Sequence, residues 1–233
     1  MARYWVPVVA AALIMAPGCS ARLEGKGAPG AQSAWLTGRP AGDGALQPIG
    51  GARLPLVLVS GEAAETRPGV YTTSSPGLRA SFGDRPSDDA EIRFVYHGPS
   101  PALQPLASGE LRRQIGLRLR AQDTCNLVYV MWHIEPAPKI EVSVKTNPGQ
   151  STHAQCRDHG YTFVSPTWSD GGQAIRAGDP HSLRAAIRGQ ELRISIDGRA
   201  CWTGILPASA LALAGPAGIR SDNASFAFTF VVY

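Results

Sequence analysis

The chain has 233 residues, room for one sandwich-sized body plus extensions, and its 26 Gly and 19 Pro suit strands joined by turns. Lys and Arg outnumber Asp and Glu 22 to 18, a formal charge of +4, with only 17% of residues charged. No block of Lys/Arg is present to neutralise a phosphate backbone, which argues against nucleic acid as a partner. The absence of a phosphate loop, a dinucleotide fingerprint or a Gly-x-Ser-x-Gly elbow argues against nucleotide and serine-hydrolase chemistry.

In chain order, Arg3 precedes an apolar run over 5–15 that is too short for a membrane span, and Pro17-Gly18-Cys19-Ser20 follows. A small residue directly before a cysteine resembles the processing site of bacterial lipoprotein signal peptides, although Pro17 stands where that pattern usually has a small residue. The resemblance implies a signal peptide over 1–18 and lipidation of Cys19. It also implies a membrane partner through that lipid anchor, at the bacterial cell envelope. Ser20 in place of Asp favours the outer membrane facing the periplasm, and plain secretion is the alternative. Residues 19–50 are rich in Gly, Ala and Pro without apolar period and are expected to be a flexible tether, leaving 51–233 as the folded body. Trp35, inside that tether, either docks on the body or stays unattached.

From residue 54 the pattern is of strands. Short β-rich stretches are expected at 54–59, 69–73 and 91–96, with Pro99, Pro101 and Pro105 marking a loop. Residues 113–120 (RQIGLRLR) alternate, with Ile115, Leu117 and Leu119 on one side and Arg118 and Arg120 on the other. Two strands at 126–135 and 140–146 flank Pro136-Ala137-Pro138-Lys139. Further strands are expected at 181–188, 191–197, 200–204, 217–220 and 225–232, with tight turns at Gly189-Gln190 and Gly198-Arg199. One or two helical turns fit 207–214. Many short strands with Gly/Asp turns predict an all-β fold, an antiparallel two-sheet β-sandwich.

The run of Leu183, Gly189, Leu192, Ile194, Ile196, Asp197, Gly198 and Trp202, followed by Gly218, Ile219, Arg220 and Phe226, resembles concanavalin A-like (laminin G-like) jelly-roll domains. The resemblance covers about residues 53–233 and implies a concanavalin A-like jelly roll. Such sandwiches host lectins, glycan hydrolases, lyases and adhesion modules, so it does not choose among functions. Ligands in this family lie across one concave sheet.

The hairpin 126–146 can be registered from its hydrophobic pattern. Pairing Ile134 with Ile140 sets Trp132 against Val142 and Val130 against Val144, an apolar core face. The other face then sets Tyr129 across from Lys145, Met131 across from Ser143 and His133 across from Glu141, with Leu127 near Asn147. This row suits a ligand face on which aromatics stack on sugar rings and charged or amide groups meet hydroxyls and carboxylates. Facing Tyr/Lys and His/Glu pairs equally suit a solvated sheet. A glycan-binding role requires Tyr129, His133 and Lys145 to share an open groove. Should Arg118, Arg120 and Arg193 join Lys145 on one sheet, the face is basic and favours an acidic glycan.

Cys125, Cys156 and Cys201 allow three pairings in an oxidising compartment. Cys125 precedes the hairpin and Cys156 follows it by ten residues, so a short return of 148–155 brings these two together, leaving Cys201 as a buried small hydrophobe. That bridge pins a loop carrying His153, Asp158 and His159, three further ligand-binding candidates beside the sheet. His153-x2-Cys156-x2-His159 also has ligand types for a metal, with Asp158 or His133 as a fourth, but needs Cys156 reduced. No metal site is expected from it. Calcium, common in the fold family, meets only scattered carboxylates at Asp84, Asp88, Asp89, Asp170, Asp179 and Asp222.

Catalysis has weaker support. A jelly-roll glycoside hydrolase needs paired carboxylates, and the E-x-D-x-E type strand pattern is missing. Tyr129, His133, Lys145 and Asn147 supply the residue types of a polysaccharide lyase without that family's motifs. The expected function is a non-catalytic module that binds a polysaccharide or other envelope polymer. A jelly-roll lyase or hydrolase and a structural or protein-binding envelope lipoprotein are the alternatives.

Overall fold

The computed structural model describes Leu46 and residues 54–233. The signal segment, Cys19, Trp35 and nearly all of the expected tether lie outside the described residues. Leu46 is the exception: it is buried against Val70, Val95 and Ala227, and its carbonyl accepts a hydrogen bond from Arg67 at 3.2 Å.

The strands in chain order are β1 (Leu56–Ser60), β2 (Ala64–Arg67), β3 (Val70–Thr73), β4 (Gly77–Phe82), β5 (Asp89–Pro99), β6 (Arg113–Leu119), β7 (Leu127–Glu135) and β8 (Lys139–Lys145). A single helical turn, α1 (His153–Cys156), leads to β9 (Tyr161–Val164) and β10 (Pro166–Ser169). Then come β11 (Pro180–Arg188), β12 (Glu191–Ile196), β13 (Arg199–Ile205), a 3-10 turn at Ala208–Ala212, β14 (Gly218–Asp222) and β15 (Ala224–Val232). Among the described residues they form two antiparallel sheets, ordered β1-β4-β14-β6-β7-β8-β9 and β10-β13-β12-β11-β5-β15-β3-β2. This is an all-β, two-sheet antiparallel sandwich of jelly-roll type.

Period-2 alternation builds the core. Ile115, Leu117 and Leu119 of β6 and Val128, Val130 and Trp132 of β7 face Phe94, Leu183, Ile194, Phe226 and Phe228 of the eight-stranded sheet. Trp132 sits edge-on to Phe94 at 5.9 Å and donates its indole N–H to the carbonyl of Gln173 at 2.8 Å, which satisfies the one polar atom it carries into the core. The β11–β12 hairpin turns on Gly189-Gln190 as expected. The β12–β13 hairpin turns on Asp197-Gly198, one residue before the expected Gly198-Arg199, because both turn residues take φ > 0 and Arg199 is drawn into pairing with Ile196.

Within the hairpin 127–145 the structure corrects the register by two residues. Trp132 pairs with Ile140, Val130 with Val142 and Val128 with Val144. Consequently Leu127 faces Lys145, Tyr129 faces Ser143, Met131 faces Glu141 and His133 faces Lys139. Lys139, expected in the turn, is the first residue of β8, which shortens the connection. A slip of two leaves every side chain on its expected face, so the core assignment stands while the facing pairs change.

Candidate functional site

The outer face of the seven-stranded sheet can be laid out from the strand registers as three rows. One runs Ser81, Gly218, Arg118, Tyr129, Ser143, Phe163; the next runs Arg79, Arg220, Gly116, Met131, Glu141; the third runs Gly77, Asp222, Gln114, His133, Lys139. Lys145 sits beside Leu127 and Tyr161 at the end of β8. Five of the nine expected ligand residues therefore share this face, in two groups.

The first group gathers four cations around two phenols. Arg118 is 2% exposed, and its Nε and Nη1 are sealed from water with no hydrogen-bond partner. Arg220 lies 4.9 Å from the Tyr129 ring centre and donates from Nε to Asp222 at 2.8 Å, while Arg79 reaches the other oxygen of Asp222 at 3.5 Å. Lys145 is buried, donates to the carbonyl of Arg157 at 2.6 Å and sits 5.0 Å from the Tyr161 ring centre. Tyr129 and Tyr161 are stacked at 6.2 Å. Asp222 is thus one carboxylate among four cations.

The titration of these groups reports the resulting potential. Burial raises the Tyr129 phenol, yet the charges of Arg220, Arg118, Arg79 and Lys145 outweigh burial and hold it below its ordinary value. Burial, with Arg220 and Arg79 adding repulsion, lowers Lys145. Burial lowers Arg118, to which Arg79 and Arg220 contribute in the same direction. His153 is lowered too, by burial first and then by Lys145, Arg79 and Arg220, which places it within the field of the cluster. Burial disfavours the charge on Arg220, but Asp222 reverses that and holds it above its ordinary value.

The second group is a compact ion network. Glu141 accepts from Arg112 at 2.9 Å and from Lys139 at 2.7 Å, and His133 Nε2 stands 3.5 Å away. These partners, His133 first, hold the Glu141 carboxyl down to about 2. Met131 separates the groups. A Cβ on Gly116 would come within 2.7 Å of its sulfur, so the missing side chain at 116 is what lets Met131 lie there.

Several expectations need correction. Tyr129, His133 and Lys145 are each 3% exposed or less, so glycan binding through an open groove of these three is overturned, and what reaches solvent beside them is the rim formed by Arg79 and Tyr161. A second apolar cluster of Ala121, Leu127, Tyr129 and Met131, with Tyr161 against it, forms on this face, and His133 and Lys145 are held by the partners just described. Asn147 is consumed structurally: its side chain donates to the carbonyls of Cys125 and His159, both at 3.1 Å. His153, Asp158 and His159 are exposed on the adjoining loop. Arg118 shares the face with Lys145, but Arg120 and Arg193 do not. Arg120 leaves the strand at φ 49° and grips Asp88 at 2.6 Å, and Arg193 lies on the other sheet paired with Glu191 at 3.0 Å.

The loop itself is pinned as expected. Cys125 and Cys156 form a disulfide with Cα atoms 5.8 Å apart, and Asn126 and Thr124 donate to the carbonyls of Gln150 and Ser151 at 2.8 and 2.9 Å. Cys156 sulfur is therefore committed to the bridge, and among the described residues no three His, Cys, Asp or Glu side chains gather as metal ligands. Three of the carboxylates weighed for calcium hold guanidinium groups instead. Asp88 takes Arg120, Asp89 takes Arg184 and Arg188, and Asp222 takes Arg79 and Arg220.

Sequence reasoning missed Arg79, placed Tyr161 only on the pinned loop and not on the sheet face, and did not place Arg220 in a site. β4 (GLRASF) does alternate, with Leu78, Ala80 and Phe82 buried, so its period could have placed Arg79 on the outer face. β9 is an edge strand without alternation, and nothing local marks Tyr161.

Comparison with known proteins places this architecture. No protein-family model matches the chain, and no curated protein matches it. The carbohydrate-binding module CBM66 from Bacillus subtilis is similar in structure, with a TM-score of 0.53 and 12% identity over 76% of this chain and 93% of that one. The carbohydrate recognition domain of Emp47p gives a TM-score of 0.44 and 12% identity over 79% of this chain and 92% of that one. At such identities the first likeness is one of fold, and it agrees with the jelly-roll sandwich found in the strand order.

Proposed function

We propose that this chain is a non-catalytic carbohydrate-binding module whose ligand is a polysaccharide or other envelope polymer bound on the outer face of the seven-stranded sheet. The observation that carries this reading is the contrast between the two outer faces. On the eight-stranded sheet four outward arginines have a carboxylate: Arg93 with Glu91, Arg184 and Arg188 with Asp89, Arg193 with Glu191, at 2.6–3.5 Å. That is how a solvated sheet stabilises itself. On the seven-stranded sheet Arg118 has no such partner, Lys145 has a carbonyl and a ring, and two stacked tyrosines lie among them. The fold likeness to a carbohydrate-binding module supports the same reading.

Non-catalytic binding is favoured by the state of the acids. Glu141 at about 2 and Asp222, held below its ordinary value by Arg220 and Arg79 against burial, are poor proton donors near neutral pH. One observation favours a second reading, a polysaccharide lyase: the lowered Tyr129 phenol stands beside Arg118 and Arg220. The Pro17-Gly18-Cys19-Ser20 pattern supports attachment at the bacterial envelope through a lipidated Cys19.

Affinity electrophoresis through gels containing a panel of neutral and acidic polysaccharides tests the reading. Retardation by at least one glycan is expected, with no rise in 235 nm absorbance on incubation. A chain that migrates freely through the whole panel would falsify glycan binding, and new 235 nm absorbance would replace the module with the lyase.

A further inference from the structure

The buried guanidinium of Arg118 has no assigned role, and its surroundings define one. Two of its nitrogens are sealed from water without an acceptor, in a cluster where Arg79, Arg220 and Lys145 add three more charges and Asp222 is the carboxylate paired with Arg79 and Arg220. A sealed, unpartnered guanidinium costs the fold stability rather than supplying it. A purely structural sheet face relieves such a cost with a carboxylate, as the opposite sheet does at Asp89 and Glu191. Asp222 offers no such relief, since Arg220 and Arg79 bind both of its oxygens and Gln114 donates to one at 2.6 Å.

We infer that this face binds a sugar-borne oxyanion, the carboxylate or sulfate of an acidic glycan, which meets Arg79 at the exposed rim while the buried charges of Arg118, Arg220 and Lys145 supply the attracting potential behind it. The inference rests on the carbohydrate-binding reading above and adds the chemical class of the ligand. Guanidinium is the side chain suited to a planar oxyanion, because it donates in a rigid fork and carries charge at every working pH. Arg79, with 30% of its side chain exposed, and the half-buried Tyr161 form the solvent-facing rim of the cluster. Tyr161, stacked on the buried Tyr129, supplies the ring for the sugar that carries the anion. The lowered phenol of Tyr129 agrees with a positive potential in this cluster.

The test compares matched glycans on the full chain: polygalacturonate against its methyl ester, and dextran sulfate against dextran, each by affinity electrophoresis. Retention of at least one acidic polymer with its neutral counterpart passing freely is expected, and which acid is held tells carboxylate from sulfate. Arg118→Met should cut that retention at least tenfold. It should also raise the Tm of the free protein by about 2–4 °C, since it removes an uncompensated buried charge from a body of this size. Arg79→Met, at the exposed rim, should weaken retention several-fold and serves if the Arg118 variant does not fold. Arg193→Met, on the opposite sheet, should leave it unchanged. Equal retention of acidic and neutral partners overturns the oxyanion site and leaves glycan binding standing. So does retention of only neutral glycans from the wider panel, or acidic retention that survives both Arg118→Met and Arg79→Met. Retention of nothing overturns the glycan reading and the oxyanion site together.

Discussion

Two residues on the same sheet face show opposite uses of charge. Glu141 is held by His133, Lys139 and Arg112, and its carboxyl falls from the ordinary 4.5 to about 2. A carboxylate whose folded value lies below its unfolded value contributes stability that is complete above the unfolded value. That contribution is lost as pH falls through the folded one. The window here is therefore between about pH 4.5 and about pH 2, and on the order of 2–3 kcal/mol should disappear across it. Urea unfolding of the wild type and Glu141→Gln at pH 7, 4 and 2 checks this. The variant should start less stable, and the two curves should converge as the pH approaches 2. Curves that stay parallel would deny Glu141 this role. Arg118 is the converse case, a buried charge whose Nε and Nη1 have no hydrogen-bond partner, and that imbalance is the ground for the binding role proposed for it.

At the scale of elements, the loop 147–160 links the disulfide to the cation cluster. The bridge closes a span of 31 residues from Cys125 to Cys156, and Arg157, the next residue, holds Lys145 through its carbonyl. Loop closure of that length is worth about 3–4 kcal/mol by the chain-entropy model. Cys125→Ser with Cys156→Ser should cost that much in denaturant unfolding, and it should also weaken polysaccharide retention by loosening the seat of Lys145. A stability loss with unaltered retention would separate the loop from the binding face.

The strands that build this site differ in how far their sequence reveals them. β6 and β7 alternate long apolar residues with polar ones, so the faces of Arg118, Tyr129 and His133 are legible in the sequence alone. The facing pairs are not, because the same apolar pattern accepts a shift of two residues and only the length of the Pro136-Ala137-Pro138 connection decides. β4 relies on Leu78, Ala80 and Phe82, a core stripe weakened by alanine, and β9 has no stripe at all. Arg79 and Tyr161 sit on those two strands, the first on a weak stripe and the second on none. The partnering of the cations is illegible for another reason. Arg118 and Arg120 look alike in RQIGLRLR, and only the φ of 49° at Arg120 sends one to Asp88 and leaves the other on the sheet face.

Over the whole molecule the sandwich divides its work between sheets. The eight-stranded sheet pairs Arg184 and Arg193 with carboxylates and takes Leu46 against Val70, Val95 and Ala227, while the seven-stranded sheet keeps the unpartnered charge of Arg118. Between them, within the core, lies a group with no part in either task. The thiol of Cys201 is 1% exposed among the core side chains, and burial, with Asp170 adding to it, pushes its pKa up to about 12. The nucleophile in thiol chemistry is the thiolate, so this sulfur is doubly silent while the sandwich is closed. Cys201 is therefore a built-in clock for global opening. In a chain with Cys19 replaced by Ser, a maleimide should label no faster than the protein unfolds, with one label per molecule, at Cys201, and none on the bridged pair. The labelling rate against urea should follow the unfolding rate, and rapid native-state labelling would mean that β12 and β13 part locally without the rest. No engineered probe is needed to time the sandwich's breathing.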